Sequence, residues 1–156
     1  MRNAARVYMP LIAVGLLSCA QTTDPLHPTL PLGVQVIELA IHDGIGNVPF
    51  ARDDLTIVRA RVVAAHTLEI EVRYGGGCHD HAFVLLASSG FLESNPVQAV
   101  LALAHDAKGD ACGAIITKTL HVDLTQLREL WQEQYQQGSG VIDLPLDGIA
   151  VVRYTF

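Results

Sequence analysis

Thr67-Leu68-Glu69-Ile70-Glu71-Val72-Arg73-Tyr74 alternates apolar and charged residues without a break, and Gly75-Gly76-Gly77-Cys78-His79-Asp80-His81 then interrupts the pattern. Successive side chains of a strand point to opposite faces, so Leu68, Ile70, Val72 and Tyr74 share one face and Glu69, Glu71 and Arg73 the other. This is the signature of a half-buried β-strand. Three consecutive glycines let the chain turn sharply or admit another group close to the backbone. Upstream, Leu55–Val63 forms a hairpin with this strand around residues 64–66. Further back, Val34–Ile41 places Ile37, Leu39 and Ile41 on one face before a turn at Asp43-Gly44-Ile45-Gly46-Asn47.

Downstream of the glycines, His81–Ser88 reads as a strand with Phe83 and Leu85 on the His81 face and Val84 and Leu86 on the other. Two apolar faces place it centrally. Val97–Ala104 is also apolar throughout, and the turn-forming residues 105–110 lead through Cys112 to a strand at Ala114–Val122, which suggests a second hairpin. Asp123 reads as an N-cap with Gln126 three residues on, and Leu124, Leu127, Leu130, Trp131 and Tyr135 fall on one helical face until Gly138 stops the helix. Val141–Leu144 and Ile149–Tyr154 flank Asp147-Gly148, a hairpin dipeptide, with Pro145 suggesting an edge position for the first arm. The expected fold is mainly β, with about eight short antiparallel strands in a sandwich or partly open barrel and one α-helix in the C-terminal half. An α+β roll, with the helix on one curved sheet, is the alternative.

The chain has 156 residues, half of them hydrophobic, which suffices for one domain with a sizeable core. Its formal charge of −6, with ten thinly spread Lys and Arg, argues against nucleic-acid binding. The first residues look like a targeting segment. Arg2 and Arg6 precede an apolar run, Val7–Leu17, too short to span a bilayer as a permanent helix. Leu16-Leu17-Ser18-Cys19 follows, and it resembles the lipobox of bacterial lipoproteins. The resemblance implies cleavage before Cys19, diacylglycerol on its sulfur and an acyl chain on the new amino group, palmitate included. In that class a following Asp favours the inner membrane; Ala20 here favours the outer membrane. Residues 1–18 are then a signal peptide, and the Pro-rich residues 19–32 a lipidated tether. Residues 33–156 make up a single β-rich domain. Losing Arg2 and Arg6 leaves eight basic residues against sixteen acidic ones, a formal −8.

The sequence lacks a GxSxG elbow, a GxxxxGK[ST] phosphate loop, a GxGxxG opening a helix and an HExxH pair. This absence of catalytic signatures leans away from an enzyme. With Cys19 lipidated, Cys78 and Cys112 remain as an even pair in an oxidising compartment, the natural substrate for a disulfide. Such a bridge brings the glycine stretch to the turn that starts at His105, within reach of Asp106 and Asp110. His79 and His81, two apart on an extended strand, would share a face and could join His105 around zinc or copper. That H-x-H is similar to the one in copper–zinc superoxide dismutases, whose other ligands have no match here. The favoured reading has no cofactor and uses the histidines structurally. Function then reads as a membrane-anchored, non-catalytic binding or structural lipoprotein of the cell envelope. Its partners are the bilayer, through Cys19, and an envelope protein or small ligand; the alternative is a metal-binding lipoprotein using His79, His81 and His105.

Overall fold

The computed structural model describes residues 33–46 and 48–156; the signal peptide, Cys19 and the tether lie outside them. Eight strands and one helix follow in the order β1 (Val34–His42), β2 (Thr56–Ala64), β3 (Thr67–Gly76), β4 (Ala82–Leu92), β5 (Val97–Asp106), β6 (Ala114–Asp123), α1 (Thr125–Tyr135), β7 (Val141–Leu144) and β8 (Val152–Thr155). They form one sheet in the spatial order β2-β3-β6-β1-β4-β5-β7-β8. Its edge strands β2 and β8 lie against each other, so the sheet curls into a nearly closed barrel. Closure of this kind removes most of the exposed edge that an open sheet would present.

The expected mainly β fold with one helix is present, but the sheet is mixed. β1 runs parallel to both β4 and β6, and β5 parallel to β7. The expected β5–β6 hairpin does not form. β5 is paired with β4 on one side and β7 on the other, while β6 pairs antiparallel with β3 over its whole length, from Thr67↔Asp123 to Gly76↔Ala114. The reversal at residues 107–113 therefore carries the chain from one part of the barrel to another instead of closing a two-strand ladder. Likewise β7 is not an edge: it sits between β5 and β8, and Pro145 follows its last residue.

The barrel interior is filled by side chains at alternate strand positions. Leu68, Ile70 and Val72 of β3, Leu120 and Val122 of β6, Ile142 and Leu144 of β7 and Tyr154 of β8 are all inaccessible to solvent. Burying each contributes about 2 kcal/mol. Helix α1 turns Leu127 and Trp131 into the same core, as the helical spacing predicts. The N-cap position falls to Leu124 and not to the expected Asp123, whose carboxylate accepts the Thr125 amide at 2.9 Å just ahead of the helix. The helix ends earlier than expected: Gln136, not Gly138, takes the left-handed conformation, and its amide donates to the Gln132 carbonyl. On the outside, Ile45, Val48 and Phe50 cover Val84, Leu86 and Ala104, which gives β4 its second apolar face. Among the described residues no helix is long and apolar enough to cross a membrane.

Candidate functional site

β3 ends at Gly76, and the next residues wrap around one carboxylate. Asp110 Oδ2 accepts the amides of Gly77, Cys78 and His79 at 2.8, 2.9 and 3.0 Å, and Oδ1 accepts the Cys112 amide at 2.9 Å. Three successive backbone N–H groups aimed at one oxygen form an anion-holding nest. The glycines make this path available: Gly76 and Gly77 have φ of +148° and +118°. A Cβ on Gly76 would lie 2.7 Å from His81 Nε2 and 2.9 Å from Asp110 Oδ2, so only glycine fits. The Cys112 amide, then those of Cys78 and His79 and the His81 ring, hold the Asp110 carboxyl far below its usual range, against the opposing effect of desolvation.

The disulfide expected between Cys78 and Cys112 is formed, with Cα atoms 6.0 Å apart. It locks the nest, because both half-cystine amides bind Asp110. Behind the nest lie two buried histidines, His81 and His105, with exposures of 4% and 1%. His81 Nε2 is 3.2 Å from Asp110 Oδ2, and His81 Nδ1 is 2.7 Å from His105 Nε2. His105 Nδ1 in turn donates to the Asp53 carbonyl at 3.2 Å. Phe83 stacks on His105 at 4.8 Å, and Tyr74 packs against both imidazoles. Burial, with Asp80 nearby, pushes the Tyr74 hydroxyl up.

The structure thus joins two of the three candidate histidines and leaves the third elsewhere. His79 gives its amide to Asp110, but its residue is exposed. The shared face expected for His79 and His81 required an extended strand, and the nest replaces that strand with a curl. Among the described residues, one set of metal-type donor atoms converges, Cys78, Asp110 and Cys112, and both of its sulfurs are in the disulfide. Sequence reasoning placed Asp110 within reach but missed its central role. The usable signal was Asp110 two residues before Cys112, opposite three glycines that precede Cys78.

A second histidine network stands at the other end of β3. Arg128 Nη1 donates to His66 Nε2 at 2.9 Å, and His66 Nδ1 meets the Tyr154 hydroxyl at 2.7 Å. Burial pushes that hydroxyl up to about 12. Beside the first network, a cleft of about 400 Å³ lies between the strap at residues 52–54 and β5, lined by Arg52, Asp53, Asp54, Leu101, Leu103 and Asp147 among others.

Comparison with solved structures finds this barrel elsewhere. A NigD-like immunity protein from Bacteroides caccae superposes with a TM-score of 0.55 at 15% identity, over 76% of this chain and 58% of that one. A candidate lipoprotein from Bacteroides fragilis does so with a TM-score of 0.53 at 9% identity, over 78% and 69%. The chain therefore spans less than two thirds of the NigD-like protein, and at these identities the likeness is one of fold. No protein-family model and no curated protein matches the sequence.

Proposed function

We propose that this chain is a lipid-anchored lipoprotein of the bacterial cell envelope that works as a non-catalytic binding or structural module. One observation carries the second half of that reading: the polar groups of the Asp110 network are turned onto one another. Asp110 accepts from four amides and an imidazole, His81 and His105 face each other, and the barrel interior is packed with side chains. Such an arrangement holds loops in place, so recognition falls to the outer surface of the barrel. The disulfide suits an oxidising compartment, as the lipobox requires. The shared fold with a candidate lipoprotein and an immunity protein supports a surface that engages another envelope protein, with a small ligand as the other partner class.

The anchor is tested by metabolic labelling with a fatty acid. The wild-type chain takes up label and fractionates with membranes, whereas Cys19→Ala loses the label and accumulates as soluble or unprocessed protein. A wild type without label, or a Cys19→Ala variant that is labelled equally, overturns the lipoprotein assignment.

A further inference from the structure

Asp110, His81, His105 and the Asp53 carbonyl form one continuous chain of hydrogen bonds, and its two ends set the number of protons inside it. One end is a carboxylate kept ionised by four backbone amides, the other a peptide carbonyl; neither can donate. His81 Nε2 and His105 Nδ1, each 3.2 Å from one of these acceptors, must therefore both carry a proton. The two inner nitrogens are 2.7 Å apart. Two lone pairs at that distance repel and two N–H groups collide, so one proton lies between them. Three protons on four ring nitrogens, one positive charge on the pair balanced by Asp110, is the count that satisfies all three contacts.

We propose that His81 and His105 jointly hold one excess proton as a latch on the strap at residues 52–54, and that its loss loosens the strap over the adjoining cleft. The direction follows from the two ends. With two protons left, one outer nitrogen must present a lone pair to its acceptor. Facing the Asp110 carboxylate costs more than facing a neutral carbonyl, so His81 keeps its Nε2 proton. His105 then donates from Nε2 to His81 and turns a bare Nδ1 on the Asp53 oxygen. That replaces an attraction with a repulsion at the strap. Asp53 remains tied by its amide to the His105 carbonyl at 2.9 Å and by its carboxylate to the Ala107 amide at 2.7 Å. With the third bond gone these two open more often, which loosens the strap without unfolding the barrel, and the strap is a wall of the cleft.

The other groups around the pair are accounted for. β3 offers Tyr74, β4 the uncharged Phe83, and β6 brings Lys118 Nζ to 5.8 Å from the Phe83 ring. Of the neighbouring carboxylates, Asp53 and Asp106 accept the backbone amides of Ala107 and Lys108, and Asp80 lies near Tyr74. The Arg52 guanidinium donates to the Ile45 carbonyl. Asp110 is the ionised group in contact with the imidazoles. Because the bonded, charged pair belongs to the folded state, the latch holds at lower pH and releases as pH rises.

Imidazole-¹⁵N NMR of the purified protein between about pH 5 and about pH 9 reads the proton count directly. The expected result is three N–H protons across His81 and His105 at the acid end and two at the alkaline end. Across the same step the hydrogen-exchange protection of the Asp53 amide should fall about tenfold, with the Cys78 amide unchanged. In Asp110→Asn the step should move to lower pH, since the anion that balances the charge is gone. A pair that keeps two or three N–H protons over the whole range, or Asp53 protection that ignores the step, overturns the proposal. If the Asn variant fails to fold, the wild-type measurement decides alone.

Discussion

The two ends of β3, a strand of ten residues, each carry a histidine network, and the bonds of the two call for different proton counts. At the Thr67 end, Arg128 can only donate, so His66 Nε2 accepts and Nδ1 carries the proton toward the Tyr154 oxygen. One neutral tautomer satisfies that site. At the Gly76 end, two acceptors bracket two imidazoles, and the bonds close only with an extra proton. The difference teaches that the partners at the ends of a hydrogen-bond chain decide a histidine's charge, more than burial does. It also divides the barrel into an end with fixed chemistry and an end whose bonding varies with pH.

The comparison breaks most completely at the disulfide. Cys78→Ser should lower stability by about 4 kcal/mol in the chain-entropy account of a closure spanning 34 residues, measured by urea unfolding. A much smaller loss would mean that Asp110 holds the nest without the covalent lock. Next comes Gly76→Ala, which combines a positive φ with overlap onto His81 and Asp110, and should cost about 3 kcal/mol. Exchange protection should drop at residues 77–79 and survive around His66. Uniform loss across the barrel would show the two ends to be one cooperative unit.

Acid gives a subtler probe of the same end. The Asp110 carboxyl is depressed in the folded protein, so its contribution is complete above the unfolded value of about 3.9 and is lost as pH falls toward the folded one. Wild type should therefore exceed Asp110→Asn in stability at about pH 6, with the gap narrowing below about pH 4. An unchanged gap would mean the nest does not depend on a negative charge. The smallest effect belongs to the fixed end: Tyr154→Phe removes the His66 bond and should cost about 1 kcal/mol, with the His81 and His105 spectra unaltered.

Alternation made β3 legible, and the same rule located β1, because a buried face and a wet face leave a period of two in the residues, whereas β4 was legible as a run apolar on both faces. Helix α1 was legible from Leu127 and Trp131. The partner of β5 was not: its apolar residues would suit either neighbour, and what separates β5 from β6 is the pairing of β6 with β3, whose partner residues lie 38 (Gly76↔Ala114) to 56 (Thr67↔Asp123) positions earlier in the chain. The parallel placement of β1 had no local trace either, since registers between distant strands are set by closure of the whole barrel. At the site, Cys78, Cys112, His81 and His105 were visible as a group. The nest was not, because it is made of backbone amides, which every sequence possesses and only conformation gathers.

The position of β1 has a mechanical consequence. This first described strand is gripped on both sides, by β4 and β6, and runs parallel to each. A pull on the chain ahead of Val34 acts along the strand axis, so it strains the hydrogen bonds of both ladders together instead of parting them one after another. A barrel tethered through its N-terminal end would then meet a tugging load in shear, the geometry in which a ladder of individually weak bonds resists as a set.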